Sequence, residues 1–158
     1  MSRPIAPASH VPPIESRLNF FMYGPDAMSV MDGLEQRIRR SDLDKALIEL
    51  VRVRVSQING CAYCIDQHVA DARTAGVDER RLTLLSVWRD TRIYSDRERA
   101  ALAWAESLTH VASGGPSDAI WEQVSECFLP SQVVDLTLVV TTINAWNRFA
   151  VGFRKLPV

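Results

Sequence analysis

"VVDLTLVVTTI", Val133 to Ile143, is the stretch that decides the fold class. Its β-branched residues suit a strand. The segment around it, Ser131 to Gly152, has some twenty residues without an interior Gly or Pro, which is longer than an ordinary strand. A helix that is apolar on most of its sides belongs in a core or an oligomer interface, so the segment is predicted to be a buried helix. The rest of the chain has no strand-helix-strand alternation, no internal repeat and no low-complexity tract. The predicted fold class is all-α.

Working outward, Pro130 is expected to end a helix begun by Ser117 or Asp118, and Gly114-Gly115-Pro116 to break the helix before it. That turn lacks the Lys-Ser/Thr of a phosphate-cradling loop. Ser95 with Glu98 forms a capping box ahead of Leu102, Trp104, Ala105 and Leu108, and Asp78 opens a short helix over Glu79 to Trp88. Asn59-Gly60 separates two further helices. One follows a Ser41/Asp44 capping box and carries Leu43, Ala46, Leu47, Leu50 and Val51. The other runs from about Cys61 to Ala75, where Gly76 supplies the left-handed C-terminal position. Pro25-Asp26 precedes Met28, Met31 and Leu34 at helical spacing. Pro4, Pro7, Pro12 and Pro13 make residues 1–14 an extended or disordered arm, leaving 15–158 as a single domain.

The totals narrow the function. With 158 residues the chain fits one domain, and 18 basic against 19 acidic residues give no net attraction toward phosphate backbones or anionic lipid. Nucleic acid and membrane are not expected partners. The run Arg37, Arg39, Arg40 reads as a solvated helix end. No signal-peptide core and no 18-residue uncharged apolar run appears, so the expected location is cytoplasmic. Three cysteines do not make a disulfide framework, and in a reducing compartment a close Cys pair points to metal or redox chemistry.

Such a pair lies in "SQINGCAYCIDQH", Ser56 to His68. On a helical wheel Cys61, Cys64 and His68 fall within about 60° of arc, with Ile65, Val69, Ala72 and Ala75 on or beside it. Asp66, Gln67, Arg73 and Thr74 lie away from that face, so both sulfurs and the imidazole are expected to point inward, and the imidazole needs a hydrogen-bond partner there. The helix N-terminus favours a thiolate over a thiol at Cys61 and Cys64, and His68 sits one turn beyond Cys64. Redox or metal chemistry outweighs the reading of three inert core residues. A zinc site would use Cys61, Cys64 and His68 with Cys127, His110 or Glu49 as a fourth ligand, although none falls at a recognisable spacing. Glu49 lies about eight residues before the Asn59-Gly60 turn and His68 about eight after it, so antiparallel packing would set them level. Pattern alone nonetheless favours a surface Glu49 paired with Lys45 and Arg52. Trp88, Trp104, Trp121 and Trp146 read as packing, with the option that one lines an entrance. His10, His110 and Cys127 are assigned no chemistry outside the zinc alternative.

The text "LIELVRVRVSQINGCAYCIDQH", with "DAR", "SDRERAALAWAE" and "INAWNRFAV", resembles the AhpD-like alkylhydroperoxidase branch of the carboxymuconolactone decarboxylase superfamily over most of Leu43 to Val151. Its specific part is Glu, eleven residues, then Cys-x-x-Cys-x-x-x-His. The resemblance implies an AhpD-like helical domain in which a central antiparallel hairpin carries the Cys pair, and a proton relay made of Glu49, Cys61, Cys64 and His68. It reverses the surface reading of Glu49. It further implies that Cys64 attacks a peroxide, that Cys61, nearer the surface, resolves the sulfenic acid as a disulfide, and that a dithiol or lipoyl-type protein donor reduces that disulfide. No metal or organic cofactor is implied, and the assembly implied is a homotrimer or homohexamer. The best-known peroxidases of the family carry a second histidine between the cysteines, where this chain has Tyr63. Asn144, Asn147 and Arg148 match a family signature whose role the sequence does not explain.

Overall fold

The Val133–Ile143 stretch is helical, part of a 23-residue helix, α8 (Pro130–Gly152), around which the others assemble in the computed structural model, which describes residues 14–157. Its β-branched residues do not prevent this. The Thr137 and Thr141 hydroxyls bond back to the carbonyls of Val133 and Thr137, the arrangement that lets Thr sit in a helix. Leu136, Val139, Val140 and Ile143 are almost wholly buried. Each such side chain contributes about 1.5–3 kcal/mol relative to exposure, which outweighs the few tenths lost to β-branching.

Seven further α-helices precede it among the described residues: α1 (Phe20–Tyr23), α2 (Pro25–Arg39), α3 (Lys45–Asn59), α4 (Ala62–Thr74), α5 (Glu79–Leu84), α6 (Asp96–Thr109) and α7 (Asp118–Cys127). No strand occurs among the described residues, so the fold is all-α. The expected arm over 1–14 lies, apart from Ile14, outside the described residues. The helix α3 is buried on most sides, with Leu50, Val51, Val53 and Val55 fully enclosed. Val51 and Val55 meet Ala101, Ala105, Leu136 and Val140 in one cluster with α6 and α8, while Leu50 and Val53 meet Leu82, Leu85, Trp88 and Leu102 in another. A third cluster, Phe20, Met28 and Met31 against Trp146, Phe149 and Phe153, lays α1 and α2 over the C-terminal half of α8. No single helix among the described residues is long and apolar enough to cross a membrane.

Several boundaries differ from the sequence reading. Asp44 alone caps α3, accepting from the Ala46 N–H, and the Ser41 hydroxyl instead donates to the Ile38 carbonyl, so there is no Ser41/Asp44 box. Pro130 does not end α7. That helix stops at Cys127, and Pro130 is the first residue of α8, where its missing N–H costs nothing. The helix opened by Asp78 leaves α geometry at Leu84 and continues as a 3-10 segment over Leu85–Asp90. The Ser95/Glu98 capping box is present as read. Trp121 is half exposed beside Trp104, so it is not a core residue.

Candidate active site

The hairpin between α3 and α4 builds the site. Gly60 closes α3 in the left-handed region at φ +66°, which a side-chain-bearing residue reaches only with strain, and the Cys61 N–H returns to the Ser56 carbonyl at 3.0 Å. A buried amide network clamps this turn onto α8. Asn59 donates to Oδ1 of both Asn144 (3.0 Å) and Asn147 (2.8 Å), and Asn147 donates to the Ser56 hydroxyl at 3.1 Å. Asn144 donates in turn to Thr109, and Arg148 donates to the Asn144 carbonyl. These contacts account for the signature residues Asn144, Asn147 and Arg148: they hold Asn59 and Ser56, and so fix where Cys61, two residues after Asn59, stands.

Cys61 is the N-cap of α4, and its Sγ accepts the Cys64 N–H at 3.3 Å. The two cysteines are joined as a disulfide, with their Cα atoms 5.4 Å apart. His68 follows one turn later, buried as expected. Its Nδ1 lies 2.8 Å from Glu49 Oε2, across the hairpin at the level the turn spacing implied.

Glu49 is not on the surface. It is 8% exposed, and Arg52, which pattern reading made its surface partner, is buried with it at 9%. Arg52 Nη1 donates to Glu49 Oε1 at 2.8 Å, while Nη2 donates to Glu35 Oε2 at 2.5 Å. Glu35, on α2, also accepts the Trp146 indole N–H at 3.0 Å. The wheel fails because α2 covers the polar edge of α3 with a charged partner, a tertiary fact that no single-helix pattern carries. Burial pushes the Glu49 carboxyl up, but the His68 hydrogen bond and the charge and hydrogen bond of Arg52 outweigh it and hold it below the usual value of 4.5. The anion can only accept, so His68 Nδ1 carries a proton, and in the neutral ring Nε2 is then the nitrogen with the lone pair.

A cavity of about 320 Å³ opens onto Cys64 and His68 between Tyr63, Phe20, Phe21 and Trp146. Cys61, 1% exposed, does not line it, so the expectation that Cys61 stands nearer the surface is corrected: capping α4 draws its sulfur into the core, and the second cysteine faces the cavity. Tyr63 lies under the Lys155 ammonium, 4.5 Å from its ring centroid. Trp146 is thus both a packing residue and part of the wall. Among the described residues the His, Cys and acidic ligand atoms that converge within 4.8 Å belong to Glu49, His68 and Asp71. A cation there would compete with Arg52 for Glu49. The zinc alternative is not assembled: of its ligands only His68 and Glu49 belong to that group, Cys61 and Cys64 are bonded to each other, and neither His110, exposed at the end of α6, nor Cys127, which ends α7, joins it.

The arrangement can hold a thiol and its anion beside an oriented base, and the 5.4 Å between the two Cα atoms suits a disulfide. Glu35 has no signal in the sequence, Arg52 is read there as a surface partner of Glu49 and not as a buried one, and Trp146 only as one of four tryptophans of which one could line an entrance.

Comparison with known proteins agrees. The profile of the Carboxymuconolactone decarboxylase family matches residues 25–107. The uncharacterized protein YdfG of Bacillus subtilis (strain 168) is 36% identical over 88% of this chain and 95% of its own length. The crystal structure of ATU0492 from Agrobacterium tumefaciens, a protein of unknown function proposed to be the antioxidant defence protein AhpD, superposes with a TM-score of 0.88 at 38% identity, over 91% of this chain and 99% of that one. The debrominase Bmp8 shares the fold alone, with a TM-score of 0.78 at 16% identity over 87% and 74% of the two chains. Together with the hairpin that carries the cysteine pair, these similarities establish that the chain belongs to the carboxymuconolactone decarboxylase family, in its AhpD-like branch.

Proposed function

We propose that the protein is a thiol-dependent oxidoreductase that reduces peroxides at Cys64. The observation that carries this reading is the buried 2.8 Å contact between Glu49 and His68, on the residue that shares a cavity wall with a disulfide-forming Cys64. Bmp8 has the same fold and is named for a different reaction, so fold does not select the chemistry. The relay behind the cysteine pair supports the choice, as does the AhpD-type proposal attached to ATU0492.

In the reduced protein His68 Nε2 takes the Cys64 proton, and Glu49 stabilises the imidazolium through Nδ1–H. The thiolate attacks the outer peroxide oxygen. The O–O bond breaks, the leaving alkoxide takes the proton from His68, and Cys64 becomes a sulfenic acid. The Cys61 sulfur then displaces hydroxide from Cys64 as water, forming the disulfide seen here. An external dithiol of lipoyl type returns two electrons and two protons.

The test is peroxide consumption with a lipoyl-type dithiol as reductant. Cys64→Ser is expected to abolish turnover with the helical circular dichroism retained, and Cys61→Ser to stop after a single turnover at the sulfenic acid. Wild-type turnover in Cys64→Ser would end the proposal.

A further inference from the structure

A guanidinium normally takes a carboxylate with both prongs of its fork, because two parallel hydrogen bonds are stronger than one. Arg52 does not do this with Glu49. Only Nη1 reaches Glu49, through Oε1, and Nη2 is committed to Glu35 Oε2. Glu49 Oε2 is therefore left for His68. Glu35 is itself held from the far side by the Trp146 indole N–H at Oε1. Its side chain is 15% exposed and that of Arg52 is 10%, so water does not readily take over either contact.

We infer that Glu35 is a positioning residue: by occupying the second prong of Arg52, it keeps Arg52 from closing on both oxygens of Glu49 and so preserves the Glu49–His68 contact. The inference rests on the proposed function for its consequence in catalysis, but its geometry stands apart from it. Without an acceptor at position 35, Arg52 closes on both oxygens of Glu49, and Oε2 turns away from the imidazole. Asp71 Oδ2, 3.7 Å from the same nitrogen on a half-exposed side chain, is beyond hydrogen-bond reach. His68 then loses the partner that fixes its tautomer. The share of imidazole with the proton on Nε2 rises, and that form cannot accept a proton from Cys64. Trp146, reached from α8, links the aromatic wall of the cavity to the orientation of the base.

The test uses imidazole nitrogen chemical shifts of His68 in the full chain, in its disulfide form, at about pH 8, where they report the tautomer without any turnover. Wild type is expected to hold the proton on Nδ1. Glu35→Met removes the acceptor and is expected to move about half of the population to Nε2–H. Glu35→Gln, whose amide oxygen still occupies the prong while its NH₂ faces the Trp146 indole N–H, is expected to shift the tautomer no more than loss of that indole bond does. The comparison is repeated in an Asp71→Asn background, so that no second carboxylate substitutes. If Glu35→Met does not fold, Trp146→Phe, which removes only the indole donor to Glu35, is expected to shift the tautomer in the same direction by a smaller amount. Peroxide kcat/KM is expected to fall about tenfold in Glu35→Met and by clearly less in Glu35→Gln. An unchanged tautomer in Glu35→Met, or in Trp146→Phe if Glu35→Met does not fold, overturns the inference, as does a change in Glu35→Gln as large as that in Glu35→Met. Absence of peroxide turnover in wild type sinks the proposed function and leaves the tautomer test standing.

Discussion

Glu49→Gln separates the charge of the relay from its shape. The amide is isosteric, but its two ends differ. If its oxygen faces His68 Nδ1–H, its NH₂ faces the Arg52 guanidinium, donor against donor; if it is reversed, Nδ1 must accept and the proton moves to Nε2. In the first orientation the Arg52 contact is lost, and in the second both 2.8 Å contacts of the native protein survive only as bonds to a neutral amide, with the His68 one reversed. A hydrogen bond to a charged group is worth about 1.5–3 kcal/mol, so the variant is expected to lose about 2 kcal/mol of stability at neutral pH, or roughly 4–8 °C in melting temperature for a domain of this size. The native carboxyl sits below its ordinary value of 4.5, so its contribution is complete above that value and disappears as pH falls through the folded one. The difference between the two proteins should accordingly close on acidification. In activity, loss of an oriented acid–base group costs about 10²-fold or more in kcat/KM, about 2.7 kcal/mol at 1.36 kcal/mol per tenfold. Stopped-flow peroxide consumption at saturating dithiol measures the second effect and thermal melts at pH 7 and pH 4 the first. Wild-type kcat/KM in a folded Glu49→Gln protein would refute the relay.

Two further outcomes follow from other contacts. Gly60→Ala places a side chain at φ +66° with no atom within 4 Å, so backbone strain alone should cost about 1–2 kcal/mol, read as a lower urea midpoint at unchanged slope. Glu106 accepts from Arg54 at 2.6 Å, from the Trp88 indole at 2.9 Å and from Arg89. Burial raises its carboxyl, but these donors outweigh it and keep it below 4.5. Glu106→Gln should therefore lower stability by about 2 kcal/mol at pH 7, with the gap narrowing as pH drops below 4.5 and the native carboxyl protonates. A gap that widens on acidification would contradict this assignment.

The helices were legible because their signals are local. Asp78, Ser95 and Ser117 cap as their chemistry dictates, and Gly60 ends α3 in the conformation its missing side chain permits. Pro130 was misread because proline both stops one helix and starts the next, and only the preceding residues' geometry tells which. At the site, the level of Glu49 with His68 could be counted from the turn. Its burial could not, since that depends on Glu35 arriving from another helix and Trp146 from a third. The depth of Cys61 agrees with the wheel, which turns both sulfurs inward, and departs from the resemblance, which set Cys61 nearer the surface; its use as a helix cap is the part the sequence does not show.

Sealing Cys61 beneath the helix end while leaving Cys64 beside the aromatic wall gives the proposed cycle a single doorway. An incoming dithiol anion meets Cys64 and expels Cys61, whose departing charge settles on the amide N–H that already faces it. Oxidant and reductant thus queue for the same sulfur from the same side, and an excess of either one obstructs the other.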